Sequence, residues 1–446
     1  MVQPPYDAKT RRKPRFVGRK PGAVELKDFR PISLIGGVYK IISKLITERL
    51  KTVIGKLVDE HQMAFLKGRQ ILDASLLTNE PVDSRVKQKQ PGILCKLDIE
   101  KAYDHVNWNF LLKILKDMGF GEQQNANRWV KGFSAQTGRG EDLEVSHLFY
   151  ADDALIFCEA ETSQIKHLRA ILTIFEGISG LHVNWLKSHI SPINQVGNLQ
   201  DLAVILGCQV DSLPTKYFGL PLGAKNKELE VWSGVLERCE NKQSRWKSQY
   251  LSLGGRLTLT KSVLDGMPTY MMSLFSIPKS IEKKLNRVRR AFLWQGNKEK
   301  RGYNLVKWDE PTLNTQQGGL NLKNLSKQNT SLLQKWLWRF SSEERAIWRR
   351  FIAGKYGLLN HWTTEEVAGT FGCSVWKTIR RLWPYFNNNM SITVGNGLKT
   401  DFWNEVWIGE DSLRNSFSHL YILSTQRNVY PKLGVNRDGT LFFEEH

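Results

Sequence analysis

Asp152 and Asp153 stand side by side in "HLFYADDALIF" (147–157), between Leu148, Phe149 and Tyr150 on one flank and Ala154, Leu155, Ile156 and Phe157 on the other. Adjacent aspartates at a hairpin tip are ordinarily solvated turn residues. Here both arms are apolar and read as buried strands, so the two carboxylates need water or a cation to face. Hard divalent cations take oxygen ligands, and Mg²⁺ typically takes one or two carboxylates together with substrate phosphates. The pattern therefore asks for another carboxylate at a strand end. Asp98, in "LCKLDIEKAYDHV" (94–106), closes an apolar run and precedes a helix. Aspartates on adjacent strand ends suit a pair of metal ions. One ion activates an attacking hydroxyl and the other holds a leaving pyrophosphate, which is the arrangement for in-line phosphoryl transfer. Taken singly each sign is weak, because many proteins contain an Asp-Asp pair.

The elements that must position these groups are legible from periodicity. Residues 92–100, "GILCKLDIE", read as a short strand leaving a Pro-Gly turn. Residues 145–159 read as strand, a two-residue turn made of the aspartates, and strand. Val38, Ile41, Ile42, Leu45, Leu50, Val53, Ile54 and Leu57 recur at helical spacing. Further helices are expected over 108–120 and from Ser163 to Phe175, the latter ended by Gly177 and Gly180. Residues 135–144 are polar and glycine-bearing and read as a loop. The second half differs in character: 12 of the 15 tryptophans lie in 226–446. There Ile281, Leu285, Val288 and Phe292 form one helical stripe, with Lys283, Lys284, Arg287 and Arg290 mostly off it. Such a helix packs by one face and offers cations from the other. It is either a nucleic-acid backbone-tracking helix or a plain surface helix.

The chain has 446 residues and a net charge of +20. That length allows two or three domains, and the charge points to acidic partners, nucleic acid above all. The five cysteines form no CxxC pair, so zinc is not expected and a reducing, intracellular compartment, nucleus or cytoplasm, fits. The most apolar run, "YMMSLFSI" (270–277), is too short to span a bilayer, so no membrane association is expected. Seven Lys/Arg between Lys9 and Lys20 read as a nuclear-localisation signal, a nucleic-acid arm or a cut end. Nothing in the sequence sets the oligomeric state.

"YADD" (150–153) resembles the Tyr/Phe-x-Asp-Asp box of reverse transcriptases, and "KLDIEKAYDHVNW" (96–108) resembles their first metal-binding motif. More narrowly, the chain resembles plant non-LTR (LINE-type) retrotransposon reverse transcriptases. Supporting stretches are "LKDFRPISLIGGVYKIISKLITERLK" (26–51), "HQMAFLKGRQILDA" (61–74), "GLHVNWLKS" (180–188), "LPTKYFGLPLGA" (213–224) and the run from Arg245 to Ile281. "FLWQG" (292–296) and "VGNGLKTDFWNEVWIG" (394–409) extend the likeness over nearly the whole chain. The resemblance implies an α+β right-hand polymerase. It has a basic tail (1–22), fingers and palm (23–225), a thumb-like helical region (226–340) and a mainly helical, Trp-rich basic C-terminal region (341–446). It implies RNA-directed DNA polymerase activity on an RNA template, a DNA primer and deoxynucleoside triphosphates, with two Mg²⁺ ions or Mn²⁺ in their place. Asp98, Asp152 and Asp153 then become the metal ligands, with the Ile99 carbonyl as an extra one. Tyr103 falls where the family excludes the ribose 2′-hydroxyl, or is a core tyrosine. Arg30 and Lys20 match fingers cations for the triphosphate, Arg30 alternatively being an ion-pair partner. Lys187 matches a lysine able to protonate pyrophosphate, or is an exposed surface lysine. "LPTKYFGLPLGA" matches the turn under the primer end.

One family segment has no counterpart. It reads roughly Gly-Leu-Arg-Gln-Gly-Asp-Pro-Leu-Ser-Pro followed by a long helix, and it lies between the two carboxylate motifs. Only 53 residues separate Asp98 from Asp152 here, and "NRWVKGFSAQ" passes directly to "TGRGEDLEVSHLFYADD". An internal deletion near 136–144, leaving the palm incomplete, is the expectation. No endonuclease domain, RNase H-like carboxylate set or terminal Cys/His region is recognisable, which reads as a truncated element. Two other classes stay open: a catalytically inactive nucleic-acid-binding remnant, and a two-metal phosphohydrolase or nuclease. Binding without extension marks the first. Metal-dependent cleavage without extension marks the second.

Overall fold

The computed structural model describes residues 15–18, 29–32, 37–100, 102–117, 133–134, 144–245, 251–295, 306–366, 372–394, 397, 399–425, 433–435 and 441–443. The chain divides into two compact units, Met1–Asp59 and Glu60–His446. In the first, β1 (Arg15–Gly18) and β2 (Phe29–Ile32) pair antiparallel. They are followed by α1 (Gly37–Leu57), the helix expected from the apolar spacing, none of whose residues is buried.

The second unit mixes helix and sheet. It opens with α2 (Ile71–Gln88), β3 (Gly92–Glu100), α3 (Ala102–His105) and α4 (Trp108–Asp117), then the short antiparallel pair β4 (Phe133–Ser134) and β5 (Glu144–Val145). Next come β6 (His147–Tyr150), β7 (Asp153–Cys158), α5 (Thr162–Ser179), β8 (His182–Val183), β9 (His189–Ile193), α6 (Leu199–Leu206) and β10 (Gln209–Val210). The central sheet has the order β10-β9-β3-β7-β6, with β8 pairing the far end of β3.

β3 is apolar on both sides because both of its faces are covered. Ile93, Cys95 and Leu97 point with Ala154, Ile156 and Cys158 into a core shared with Ile165 and Leu168 of α5 and Leu202 and Leu206 of α6. Leu94, Leu155 and Phe157 face the other way, onto Ala74, Leu77 and Val82 of α2 and onto Tyr217 and Leu222. The last two belong to the hairpin of β11 (Thr215–Tyr217) and β12 (Leu220–Leu222). Lys96 and Asp98 follow the same two-residue period as Leu94, so the carboxylate end of β3 belongs to the face covered by α2 and this hairpin.

Two local expectations are corrected. The hairpin turn is Ala151–Asp152, not Asp152–Asp153: Asp153 already pairs with Tyr150 as the first residue of β7. Helix α5 runs through Gly177 and on to Ser179, because a glycine inside a packed helix costs only about 1 kcal/mol. Its stop is Gly180, at φ +71°, where a Cβ would lie 2.7 Å from the His105 carbonyl oxygen.

Further helices include α7 (Ser233–Arg245), α8 (Leu253–Leu259), α9 (Thr269–Met272), α10 (Lys279–Arg290), α11 (Leu325–Ser342) and α12 (Ile347–Tyr356). After α12 come the hairpin β13 (Leu358–Asn360) and β14 (Thr363–Thr364), and α13 (Trp376–Arg380). One core joins Leu76 of α2, Trp232, Leu264, Phe292, Trp336, Phe340, Trp348 and Trp376. Much of the tryptophan richness of the second half is therefore interior packing. Every residue of α2 from Asp73 to Asp83 is buried, including three carboxylates. No helix among the described residues is long and apolar enough to cross a membrane.

Candidate metal centre

Asp98 on β3 lies directly opposite Asp153 on β7 in the antiparallel register. Opposed residues of such a pair have Cβ atoms about 4.5–5.5 Å apart on one face of the sheet. Asp152 precedes Asp153 in the turn, and the Ile99 amide donates to the Asp152 carbonyl (3.4 Å). All three aspartates therefore lie at the same end of neighbouring strands, although their carboxylate oxygens are not gathered within 4.8 Å of one another. The residues between β8 and β9 hold β3 in place here. The Asn184 amide donates to the Asp98 carbonyl (2.7 Å) and the Asp98 amide to Ser188 Oγ (3.2 Å). The same segment brings Lys187 Nζ to 3.3 Å from Asp98 Oδ2. Lys187 is 65 % exposed, so this pair stabilises the fold by only about 0–1 kcal/mol. Its consequence is a cation at the carboxylates.

Burial pushes the carboxyl of half-buried Asp153 up to about 6, and the charges of Asp152 and Asp98 add to the rise, while Lys96 opposes it. Carboxylates placed at one strand end suit a hard divalent cation, which would offset the burial and the like charges that raise Asp153. The ligands would be the Asp98, Asp152 and Asp153 carboxylates and the Ile99 carbonyl. Mn²⁺ affinity should accordingly be roughly tenfold weaker at pH 5 than at pH 7.5, because the ligand must lose its proton to bind. Affinity unchanged between these pH values would refute this. In the metal-free protein the sign for stability is the reverse. A raised acid favours the native state below the unfolded value of 3.8, and that contribution disappears as pH rises through about 6.

Three residues near the centre escaped the sequence reading. Lys96 lies two positions before Asp98 on the same face, and its Nζ donates to the Lys216 carbonyl on β11 (3.0 Å). The two-residue period of the strand was signal enough for it. Tyr217 is fully buried, and its hydroxyl has no hydrogen-bond partner among the described residues. Burial, with the Asp153 charge adding, pushes that hydroxyl well above its ordinary range. Gln62 reaches the hairpin turn through its side chain (Ala151 N to Gln62 Oε1, 3.1 Å). Across the β6–β7 and β11–β12 hairpins the Tyr150 and Phe218 rings meet at 4.9 Å.

Lys20 lies outside the described residues. Arg30 falls in β2 and Tyr103 in α3, with side chains outside the description. On α10, Lys283, Lys284 and Arg287 are exposed, opposite buried Ile281 and Leu285. Arg290 is half-buried, with its guanidinium 5.4 Å from the Trp308 ring centroid. Its neighbour Arg289, not singled out from the sequence, is buried against Asp265 at 2.6 Å. A cavity of about 550 Å³ opens between the β11–β12 hairpin and α7, lined by Lys216, Gly219, Glu230, Gly234, Arg238 and Met271 among others.

Residues 18–143 match the family described as reverse transcriptase (RNA-dependent DNA polymerase). The match includes Asp98 and ends before Tyr150. Among curated proteins, the chain is similar to a ribonuclease H protein of Arabidopsis thaliana, 30% identical over 194 residues (42% of this chain, 31% of that protein). It is also similar to the uncharacterized 149 kDa protein of transposon TX1 of Xenopus laevis, 23% identical over 334 residues (61% and 24%). An uncharacterized mitochondrial protein of Arabidopsis thaliana is 26% identical over 148 residues, 33% of this chain and 95% of that protein. The chain thus spans less than a third of the length of the first two relatives.

Proposed function

We propose that the chain is the reverse transcriptase of a LINE-type (non-LTR) retrotransposon, an RNA-directed DNA polymerase. The carrying observation is Asp98 opposite Asp153 in register, with Asp152 beside them in the turn. The family match over 18–143 and the likeness to a transposon protein support the reading. Its substrates would be a DNA primer on an RNA template and deoxynucleoside triphosphates. Bound divalent ions supply activation of the 3′-hydroxyl and charge neutralisation at the α-phosphate and pyrophosphate.

The chain's own residues would do the rest. The three aspartates orient the ions. Lys187, already beside Asp98, offers a proton toward the pyrophosphate. Tyr103 excludes a 2′-hydroxyl, and Arg30 and Lys20 bind the triphosphate. The β11–β12 hairpin, leaning on Tyr150 through Phe218, supports the primer end. Residues 226–340 act as the thumb, whose helix α10 follows the nucleic-acid backbone with Lys283, Lys284, Arg287 and Arg290. The palm lacks the segment that in the family stands between the carboxylate motifs. In keeping with this, the family match breaks off between Asp98 and Asp152. That break also favours a second reading, a nucleic-acid-binding remnant without catalysis.

Both readings require primer–template binding dominated by phosphate contacts. A footprint of about 6–10 phosphates should lose ~10³–10⁵ in affinity between 50 and 200 mM salt. Fluorescence anisotropy with a labelled RNA–DNA duplex measures this. Salt-independent affinity, or no binding at low salt, would refute the assignment. Binding with extension supports the polymerase, and binding without it the remnant.

A further inference from the structure

The outer edge of β6 is covered by the stretch His61–Ala64, running parallel to it. The Phe149 amide donates to the His61 carbonyl (2.9 Å), and the Met63 amide to the Phe149 carbonyl (2.8 Å). In a parallel ladder the next outward donor on β6 is the Ala151 amide, which a main-chain carbonyl of the neighbouring strand should accept. The Gln62 side chain takes that place. Its Oε1 accepts from the Ala151 amide at 3.1 Å and from the Ala64 amide at 3.0 Å. Both partners are donors, so the side-chain atom between them must be the oxygen.

Ala151 is the residue this bond restrains. It sits at φ +58° as the first residue of the two-residue turn that presents Asp152. A side chain with a Cβ adopts that backbone only when its surroundings hold it there. The Gln62 main chain is anchored separately, its carbonyl accepting from Arg69 Nη1 (2.7 Å). Substituting the side chain therefore keeps the main-chain bonds of 61–63 to β6 and to Arg69, and removes the acceptor of the Ala151 and Ala64 amides.

We propose that Gln62 is a positioning residue for the metal centre. By holding Ala151 in the left-handed conformation, its amide oxygen fixes the direction in which Asp152 and Asp153 present their carboxylates. The inference rests on the carboxylates being a metal site, and it adds a residue that touches neither metal nor substrate. Without the acceptor, Ala151 relaxes toward negative φ and the position of Asp152 relative to Asp98 and Asp153 changes. A glycine at 151 has no such preference and needs less restraint.

Mn²⁺ binding, followed by electron paramagnetic resonance on the full chain, tests this without requiring polymerase activity. Gln62→Met keeps the side-chain length and removes the acceptor. It should weaken Mn²⁺ by about tenfold or more, the usual effect of losing a group that orients a metal ligand. In an Ala151→Gly background the same substitution should cost only about threefold, a coupling expected of directly bonded residues and not of a general loss of packing. Circular dichroism on each variant confirms that the comparison is between folded proteins. Equal losses in the two backgrounds, or Gln62→Met binding as tightly as the parent, would overturn the inference alone. A parent chain with no Mn²⁺ binding that Asp152→Asn removes would overturn the metal-site reading and the inference with it.

Discussion

Given Mg²⁺, deoxynucleoside triphosphates and a DNA primer on an RNA template, the chain is expected to extend the primer at least about 10²-fold more slowly than a restored version of itself. The restored version carries a Gln-Gly-Asp-Pro-type segment of a relative between Gln136 and Thr137. Metal ligands alone do not make a polymerase. The 3′-hydroxyl and the α-phosphate react only when base and sugar are held, and a misplacement of about 1 Å costs on the order of 10² in rate. The carboxylates keep their arrangement here because β3 and β7 pair directly over the six residues from Ile93 to Asp98. The proposed loss of the segment between the carboxylate motifs would leave the nucleotide pocket wall without such support. Single-nucleotide extension on a denaturing gel gives the comparison, and Asp152→Asn in the restored chain should abolish its activity. Robust Mg²⁺-dependent extension by the unmodified chain, itself abolished by Asp152→Asn, would show that the segment is dispensable.

Glu80→Ala is expected to remove about 3–5 kcal/mol of stability, a large share of the ~5–15 kcal/mol that holds a typical domain. Glu80 is fully buried in the middle of α2. Its carboxylate accepts from Lys355 Nζ (2.8 Å), Tyr356 Oη (2.6 Å) and Ser374 Oγ (3.0 Å). It also accepts from the amides of Val375 (2.9 Å) and Trp376 (2.8 Å) at the start of α13. Asp83, one turn on, accepts from the Ser374 amide (3.1 Å) and lies 3.2 Å from Lys355. Truncation at Glu80 takes one carboxylate from the Lys355 ammonium, which keeps Asp83 and the main-chain carbonyl of residue 80, and leaves the Val375 and Trp376 amides without their acceptor, which costs more than the bonds themselves contribute. The consequence reaches the candidate metal centre, because α2 also covers the sheet face that carries Asp98 and Asp153. Urea unfolding followed by tryptophan fluorescence should show the midpoint fall sharply. An unfolding free energy within about 0.5 kcal/mol of the parent, the range of ordinary surface substitutions, would mean that α2 and the C-terminal helices are not coupled through this carboxylate.

Several features of the centre were readable from residues alone. The apolar run to Asp98 and the two apolar arms around Asp152 and Asp153 specify strands by periodicity and residue type, which act over a few neighbours. Their shared chemistry follows from how badly carboxylates tolerate apolar surroundings. The stripe of α10 was equally local, and Ile281 and Leu285 are buried along it. Lys96 could have been added by the same two-residue period.

Other features depend on segments far apart in the chain. Which residue occupies the turn follows from the pairing of Tyr150 with Asp153 and from Gln62, 89 positions away from Ala151. The apolar pattern tolerates either turn placement because both faces of the strands are apolar, although a slip by one would send every side chain of β7 to the opposite face. Nothing in the local sequence of α2 marks its charges for burial. They are buried because Lys355, Tyr356 and Ser374–Trp376, some 275 to 296 residues later, bring donors to Glu80. Burying charge is favourable only when such partners arrive in the correct geometry. Local sequence thus determined the strands, the hairpin and the candidate ligands of this protein. Register, turn conformation and the burial of its charged helix were decided by tertiary contacts, because each is a balance between desolvation and hydrogen bonds supplied by distant parts of the chain.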